Sequence, residues 1–165
     1  MRLVYSTFPM NASRTLNLIA WLCIAALALA LVSQHVFGLR PCAWCVFQRL
    51  IYLTIAVVCW LGVLLGRLPG LRRLGALLAL GLSAGGIAAA WYQYSVASNM
   101  FSCDRTFADR FMVQSGLDAH MPWLFGIFAT CMDARVSVLG IEYAIWSLLL
   151  FAVLAALSLI ALFRR

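Results

Sequence analysis

The chain has 165 residues, of which 65% are hydrophobic and only 10% charged. A soluble globular domain is close to half apolar and a quarter charged, so this composition excludes one and places the chain in a membrane. The formal charge of +7 comes entirely from arginine, with no lysine, and reads as a topology signal that calls for no nucleic acid.

Crossing a hydrocarbon core about 30 Å thick takes about 20 apolar residues in a helix. The first stretch that qualifies runs near 15–34. Its apolar run exceeds the roughly 7–15 residues of a signal-peptide core and no small-residue cleavage site follows, so it is expected to remain in the mature chain. A short loop near 35–45 leads to a second span near 46–66, which holds Arg49, the one charge inside any span. After the turn "RLPGLRR" (67–73) comes a third span near 74–94, whose "GLSAGGIAAA" (81–90) supplies small residues for close helix approach. A long loop near 95–142 carries "MPWLFGIF" (121–128), too apolar for free solvation. It either lies on the membrane surface as a short helix or packs over the open end of the bundle. The fourth span runs near 143–163.

The charges orient these spans. Arg2, Arg14, Arg67, Arg72, Arg73, Arg164 and Arg165 fall at the termini or in the 67–73 turn, unaccompanied by acids. The other face holds Arg40, Arg49, Arg105, Arg110 and Arg135 together with Asp104, Asp109, Asp118, Asp133 and Glu142, and sums to zero. The positive-inside rule then makes both termini and the 67–73 turn cytoplasmic, and the short 35–45 and long 95–142 loops external. "NAS" at 11–13 matches a glycosylation sequon but falls on the cytoplasmic side and is set aside. Because spanning segments must satisfy their own backbone groups in lipid, the expected fold is all-α. It is one membrane domain over 1–165, a bundle of four transmembrane helices in up-down order.

Six cysteines sort themselves on this topology. Cys23 and Cys59 lie mid-span, where desolvation disfavours a thiolate, and read as small core hydrophobes. Cys42, Cys45, Cys103 and Cys131 all fall on the external side, where disulfides persist. Pairing Cys42 with Cys45 and Cys103 with Cys131 is simplest, and the spacing leaves the other two connectivities open. Pro41 and Cys42 stand where the second helix begins, and free N–H groups there, with the helix dipole, favour a nearby thiolate. Arg49, four residues after Cys45 on the same face, adds a permanent charge, so Cys45 is the expected thiolate. An intramembrane arginine is expensive and usually has a partner; the competing reading is that it snorkels to the interface. Beside a CxxC we take it as functional, holding the carbonyl oxygen of a lipid-soluble quinone. His35, near the CxxC, reads as structural and His120 as solvated.

The stretch "QHVFGLRPCAWCVFQR" (34–49), the loop cysteines Cys103 and Cys131, and "VLGIEYAIWSLLLF" (138–151) together resemble the DsbB family of bacterial inner-membrane disulfide-generating proteins. The resemblance implies a multi-pass inner-membrane enzyme, a quinone-dependent thiol:disulfide oxidoreductase. Its partner is a periplasmic DsbA-like thioredoxin-fold protein, which attacks the Cys103–Cys131 disulfide at Cys103. Cys42–Cys45 reoxidises the loop pair, and Cys45 passes the electrons to ubiquinone, or menaquinone without oxygen, beside Arg49. The chain departs from the family in one respect. Members often carry a His or Arg near the external end of the third helix, whereas "AAAWYQYSVASNM" (88–100) has neither. Gln93 and Tyr94, with Tyr92, are the nearest substitutes as cofactor contacts.

Three other readings fit less of the sequence. A thiolate zinc site expects closely spaced ligand pairs, yet Cys103 and Cys131 are 28 residues apart, and no metal is expected. A disulfide-stapled scaffold without turnover leaves Arg49 unexplained. A reductase of the vitamin K epoxide type carries its CxxC near the last helix, not before the second. On the redox reading Cys23→Ala and Cys59→Ala leave thiol-oxidation turnover intact, and a loss in either would put a mid-span thiol on the electron path.

Overall fold

The computed structural model of the chain describes residues 11–66, 70–99 and 106–163. Four long helices account for the predicted spans: α1 (Ala12–His35), α2 (Ala43–Leu64), α3 (Leu71–Ser95) and α7 (Tyr143–Phe163). All four are long and apolar enough to cross a membrane. Their ends differ from the predicted ones by a few residues, because the apolar core marks what lipid covers while the helix continues until a backbone cap stops it. The outward faces are those of a protein solvated by lipid: Trp21, Leu29, Leu64, Leu77, Leu149 and Val153 are all exposed.

The up-down order puts Arg14, Arg72 and Arg73 at one end of the bundle and the CxxC at the other. Cys103 and its neighbours Asp104 and Arg105, with Arg2, Arg67, Arg164 and Arg165, lie outside the described residues.

Small residues set the helix spacing. Gly62 of α2 meets Gly75 of α3 so closely that a Cβ added at Gly75 falls 3.3 Å from the Gly62 Cα. On α3, Ala76, Ala79, Ser83, Gly86 and Ala90 recur at three- and four-residue intervals on the buried face, the pattern that lets backbones approach. Gly86 receives the ring of Phe151 from α7. That ring stacks in parallel on Tyr52 of α2, with centroids 4.2 Å apart. Helices α1 and α7, by contrast, touch sparsely, and the seam between them is where the bundle is open.

The long connection caps the CxxC end. A 3-10 turn (Ala97–Asn99) is followed by α4 (Phe107–Gln114), α5 (Leu117–His120) and α6 (Pro122–Phe125). Thr106 and Asp109 close α4 at its start with a reciprocal capping box. Phe107 and Phe111 of α4 meet Phe47 of α2 edge to face at 6.0 and 5.5 Å. In "MPWLFGIF" a short helix forms whose Leu124 and Phe125 are buried over the bundle while Trp123 and Phe128 stay exposed, and the Phe128 N–H donates to the Pro41 carbonyl at 3.0 Å.

One element lies outside the helical expectation. Ser137–Val138 (β1) and Ile141–Glu142 (β2) pair as a minimal antiparallel hairpin, turned by Leu139 (φ 56°) and Gly140 (φ 80°). Two successive left-handed residues are what a two-residue hairpin turn requires. The hairpin is tied to α7 by Trp146 Nε1, which donates to the Val138 carbonyl at 3.2 Å.

Gly86 therefore has a packing role that its neighbour lacks. A Cβ at Gly86 falls 2.4 Å from the Phe151 ring, whereas one at Gly85 meets nothing within 4 Å. In thermal unfolding of the detergent-solubilised protein, Gly86→Ala is expected to lose about 1–3 kcal/mol and Gly85→Ala to be neutral or slightly stabilising.

Candidate functional site

Cys42 is the N-cap of α2 and Cys45 sits in its first turn. That turn is reached through Pro41, whose fixed φ and missing N–H suit a chain about to enter a helix. The two sulfurs lie 3.2 Å apart and are not bonded. Trp44 between them is held against Tyr92 of α3, centroids 4.9 Å apart, which fixes the rotation of this turn against the bundle.

Cys131 of the long connection comes to the same place. It packs against the buried cluster and lines a small pocket of about 50 Å³ together with Pro41, Cys45, Arg49 and Gln93. Hydrogen bonding to Cys131, then to Cys45, with burial, holds the Cys42 thiol well above the ordinary cysteine range, since each of these favours the neutral form. Cys42 therefore holds its proton tightly and shares a hydrogen bond with the Cys45 sulfur. The residues by themselves placed Cys131 only in the long external loop. Its approach to Cys42 depends on backbone contacts across the connection that no local pattern announces.

Arg49 is buried, at 5% exposure, so it is not snorkelling. Its Nη1 donates to Gln34 Oε1 (2.6 Å) and to the Leu124 carbonyl (2.9 Å), and its Nη2 approaches the Ala30 carbonyl at 3.4 Å. The guanidinium thus ties α1, α2 and α6 together through neutral oxygens. His35 adds a second tie at the same edge, Nε2 lying 3.0 Å from the Trp123 carbonyl.

Gln93 is buried on the last turn of α3, and its Nε2 donates to Cys45 Sγ at 3.2 Å and approaches Cys42 Sγ at 3.8 Å. Tyr94, the other expected contact on this helix, points elsewhere: it packs with Trp91 at 6.2 Å and lines neither pocket at the thiols. A one-residue step along a helix turns a side chain by about 100°, and here it carries Tyr94 off the face that Gln93 presents to the thiols.

On the far side of Cys45, Arg49 and Gln93 is a second cavity of about 460 Å³. Ala26, Leu29 and Ala30 of α1 and Trp146 and Leu150 of α7 give it an apolar lining, with Gln48, Tyr52 and Ser147 on its floor. Leu29 and Trp146 are also exposed on the outer surface, so the cavity reaches the lipid face through the α1–α7 seam. Cys45, Arg49, Gln93 and Tyr143 line both spaces, forming a wall between thiols on one side and an apolar chamber on the other.

The family described as "Disulfide bond formation protein DsbB" matches residues 12–161. The chain belongs to the DsbB family. A disulfide bond formation protein B of Polaromonas naphthalenivorans (strain CJ2) is 35% identical over 161 residues, 92% of this chain and 93% of the relative. One from Polaromonas sp. (strain JS666 / ATCC BAA-500) is 33% identical over 165 residues, 95% and 94% of the two chains. One from Burkholderia pseudomallei (strain 1106a) is 31% identical over 157 residues, 92% and 90%. Membership in the DsbB family makes the chain a disulfide oxidoreductase built on a four-span membrane bundle. Within that DsbB-type bundle, Gln48, Tyr52 and Ser147 are the site-lining residues that sequence reading missed. Isolated polar residues near the end of a span look like ordinary interfacial positions.

The protonated state of Cys42 has a direct readout. In the reduced protein, alkylation of Cys42 stays slow at pH 8.5, near the ordinary cysteine midpoint of about 8.5, and rises only at higher pH. A midpoint at or below that value, measured by peptide mass spectrometry, would show that Cys131 and Cys45 do not hold its proton.

Proposed function

We propose that the chain reoxidises a periplasmic DsbA-like thioredoxin-fold protein and passes the electrons to a membrane quinone, from a position in the bacterial inner membrane with both termini cytoplasmic. The observation that carries this reading is the wall: Cys45, Arg49 and Gln93 separate a pocket containing Cys131 from an apolar cavity of about 460 Å³ open toward lipid. Thiol exchange needs the first space and a lipid-soluble acceptor needs the second.

The steps balance as follows. A thiolate of the reduced partner attacks Cys103 of a Cys103–Cys131 disulfide, displacing Cys131 as its thiolate and leaving a mixed disulfide. The partner's second thiolate resolves this bond, so the partner departs with its own disulfide and two electrons stay on Cys103 and Cys131. Cys131, adjacent to Cys42, attacks a Cys42–Cys45 disulfide at Cys42 and releases Cys45 as the thiolate. Cys103 then displaces Cys42 from Cys131, restoring the loop disulfide. Cys42 and Cys45 now hold the two electrons, and their own disulfide reforms when these leave.

The cavity fits a quinone head. Its volume lies within the roughly 300–1,000 Å³ of small-molecule sites, and its apolar lining ends at the Cys45 sulfur and the Arg49 guanidinium. Ubiquinone, or menaquinone without oxygen, supplies the sink, taking two electrons and two protons. Arg49 offers a permanent charge to an acceptor oxygen, Gln93 orients the sulfur, and the apolar lining excludes water. Regenerating a DsbA-type disulfide near about −120 mV needs an acceptor of still higher potential, the thermodynamic reason to couple it to respiration.

Purified membranes given the reduced partner test the reading by quinone reduction. Cys103→Ser is expected to abolish partner oxidation. Arg49→His raises the apparent KM for quinone by about tenfold, the scale of one charge-assisted hydrogen bond. No quinone reduction by the unaltered chain, with stoichiometric bound zinc instead, would replace this reading with a thiolate zinc site; an unchanged KM would leave Arg49 a brace alone.

A further inference from the structure

Beneath the sulfurs, side chains from three helices form a single file of hydrogen bonds. Gln93 Nε2 donates to Cys45 Sγ (3.2 Å) while its Oε1 accepts from Gln48 Nε2 (2.7 Å). Gln48 Oε1 in turn accepts from Ser147 Oγ (2.6 Å), and Tyr52 OH lies 2.8 Å from that same Ser147 oxygen. A carbonyl oxygen carries no proton, so Ser147 commits its only one to Gln48, and the Tyr52 hydroxyl donates to Ser147, either at Oγ or at the carbonyl oxygen 3.3 Å away. Every donor in the file therefore points the same way, from Tyr52 toward Cys45.

We propose that Tyr52, Ser147 and Gln48 are positioning residues for the redox reaction, acting through Gln93 by holding its amide with the N–H on the Cys45 sulfur. An amide is symmetric in shape, and nothing in packing alone distinguishes its two ends. Turned over, Gln93 would present a carbonyl oxygen to Cys45, an arrangement only a protonated thiol tolerates. The file makes that choice collective: Gln93 Oε1 is claimed by Gln48 and Gln48 Oε1 by Ser147, so Gln93 cannot turn over alone without breaking the link below it. Gln48, Tyr52 and Gln93 are all at least nine-tenths buried and Ser147 is half-buried, so each break costs a buried polar group its partner within the file. Aligned donors also polarise one another, which strengthens the last N–H.

The file is braced from below. Tyr52 is pinned by the Phe151 ring stacked on it at 4.2 Å, and Phe151 sits in the notch left by Gly86. The ionisable groups facing Cys45 lie elsewhere: Arg40 and Cys42 before α2, Arg49 on α2, Tyr143 on α7, and Cys131, Arg135 and Glu142 across the small pocket. Helices α1 and α3 contribute only the neutral Ser33, Gln34 and Gln93. Substitutions in the file leave all those groups in place.

The inference rests on the proposal that Cys45 delivers the electron pair, but its test needs neither partner nor quinone. The full chain in lipid nanodiscs is reduced, freed of reductant and treated with N-ethylmaleimide, and modification of Cys45 is followed by peptide mass spectrometry. At pH 7 the rate is expected to fall about tenfold in Gln93→Leu and about two- to threefold in Tyr52→Phe and Ser147→Ala. Raising the pH recovers the rate of the unaltered chain, as lost charge stabilisation requires and lost access does not. Tyr52→Phe keeps the ring on Phe151 and removes only the hydroxyl, so it isolates the hydrogen bond from the packing. Unaltered rates in Tyr52→Phe and Ser147→Ala, or a loss that pH does not recover, would overturn the proposal. If these shifts are found but the unaltered chain fails to reduce quinone, the file stands and the functional reading falls.

Discussion

A guanidinium buried nearly two turns inside a membrane helix has to be given oxygens, since little of it is exposed and its charge cannot be discarded. Arg49 obtains them from Gln34, from the Leu124 carbonyl and more distantly from Ala30. None is a carboxylate, so the charge is solvated without being neutralised. Much of the site follows from that solution. The first helix must present its polar end at the height of the second, and the apolar stretch 121–128 must fold down over the bundle. The cysteine in the same connection is thereby carried toward the CxxC. A carboxylate partner would satisfy Arg49 more cheaply and leave it less able to attract an incoming electron-rich oxygen.

The second constraint is the absence of a basic residue at the end of α3. A histidine or arginine brings its own charge and needs little help in facing a sulfur. A glutamine brings only a dipole, and a dipole is useful only when aimed. The polar residues of α2 and α7 below it make sense as the means of aiming.

What could be read from the sequence followed from how local its cause was. Spans were legible because lipid imposes a length and an apolar content on each separately. Arg49 and the CxxC were legible because charge and paired thiols are rare in such segments and their spacing fixes them on one helix face. Gln93 and Tyr94 could not be separated without the rotation of α3 in the bundle, which depends on where Gly75 and Gly86 let it settle. Cys131 was recognisable as a candidate but not as a neighbour of Cys42, because the contact joins residues brought together by a 48-residue connection between two spans. Gln48, Tyr52 and Ser147 carried no signal at all. A hydrogen-bonded file is written in the relative depths of three helices, and no one segment contains that information.

The open seam between α1 and α7 has a consequence for how such an enzyme experiences its surroundings. Its apolar chamber faces sideways, into the plane of the bilayer, while its thiols face the end of the bundle. A reactant entering sideways is drawn from a two-dimensional solution, so the concentration governing that half of the reaction is a mole fraction in lipid. On the proposed function, diluting the suspension with buffer thins out the soluble partner alone, and adding empty vesicles that fuse with the membrane thins out the other reactant alone. The two halves of the catalytic cycle thus answer to two different volumes, and the wall at Cys45 is where they meet.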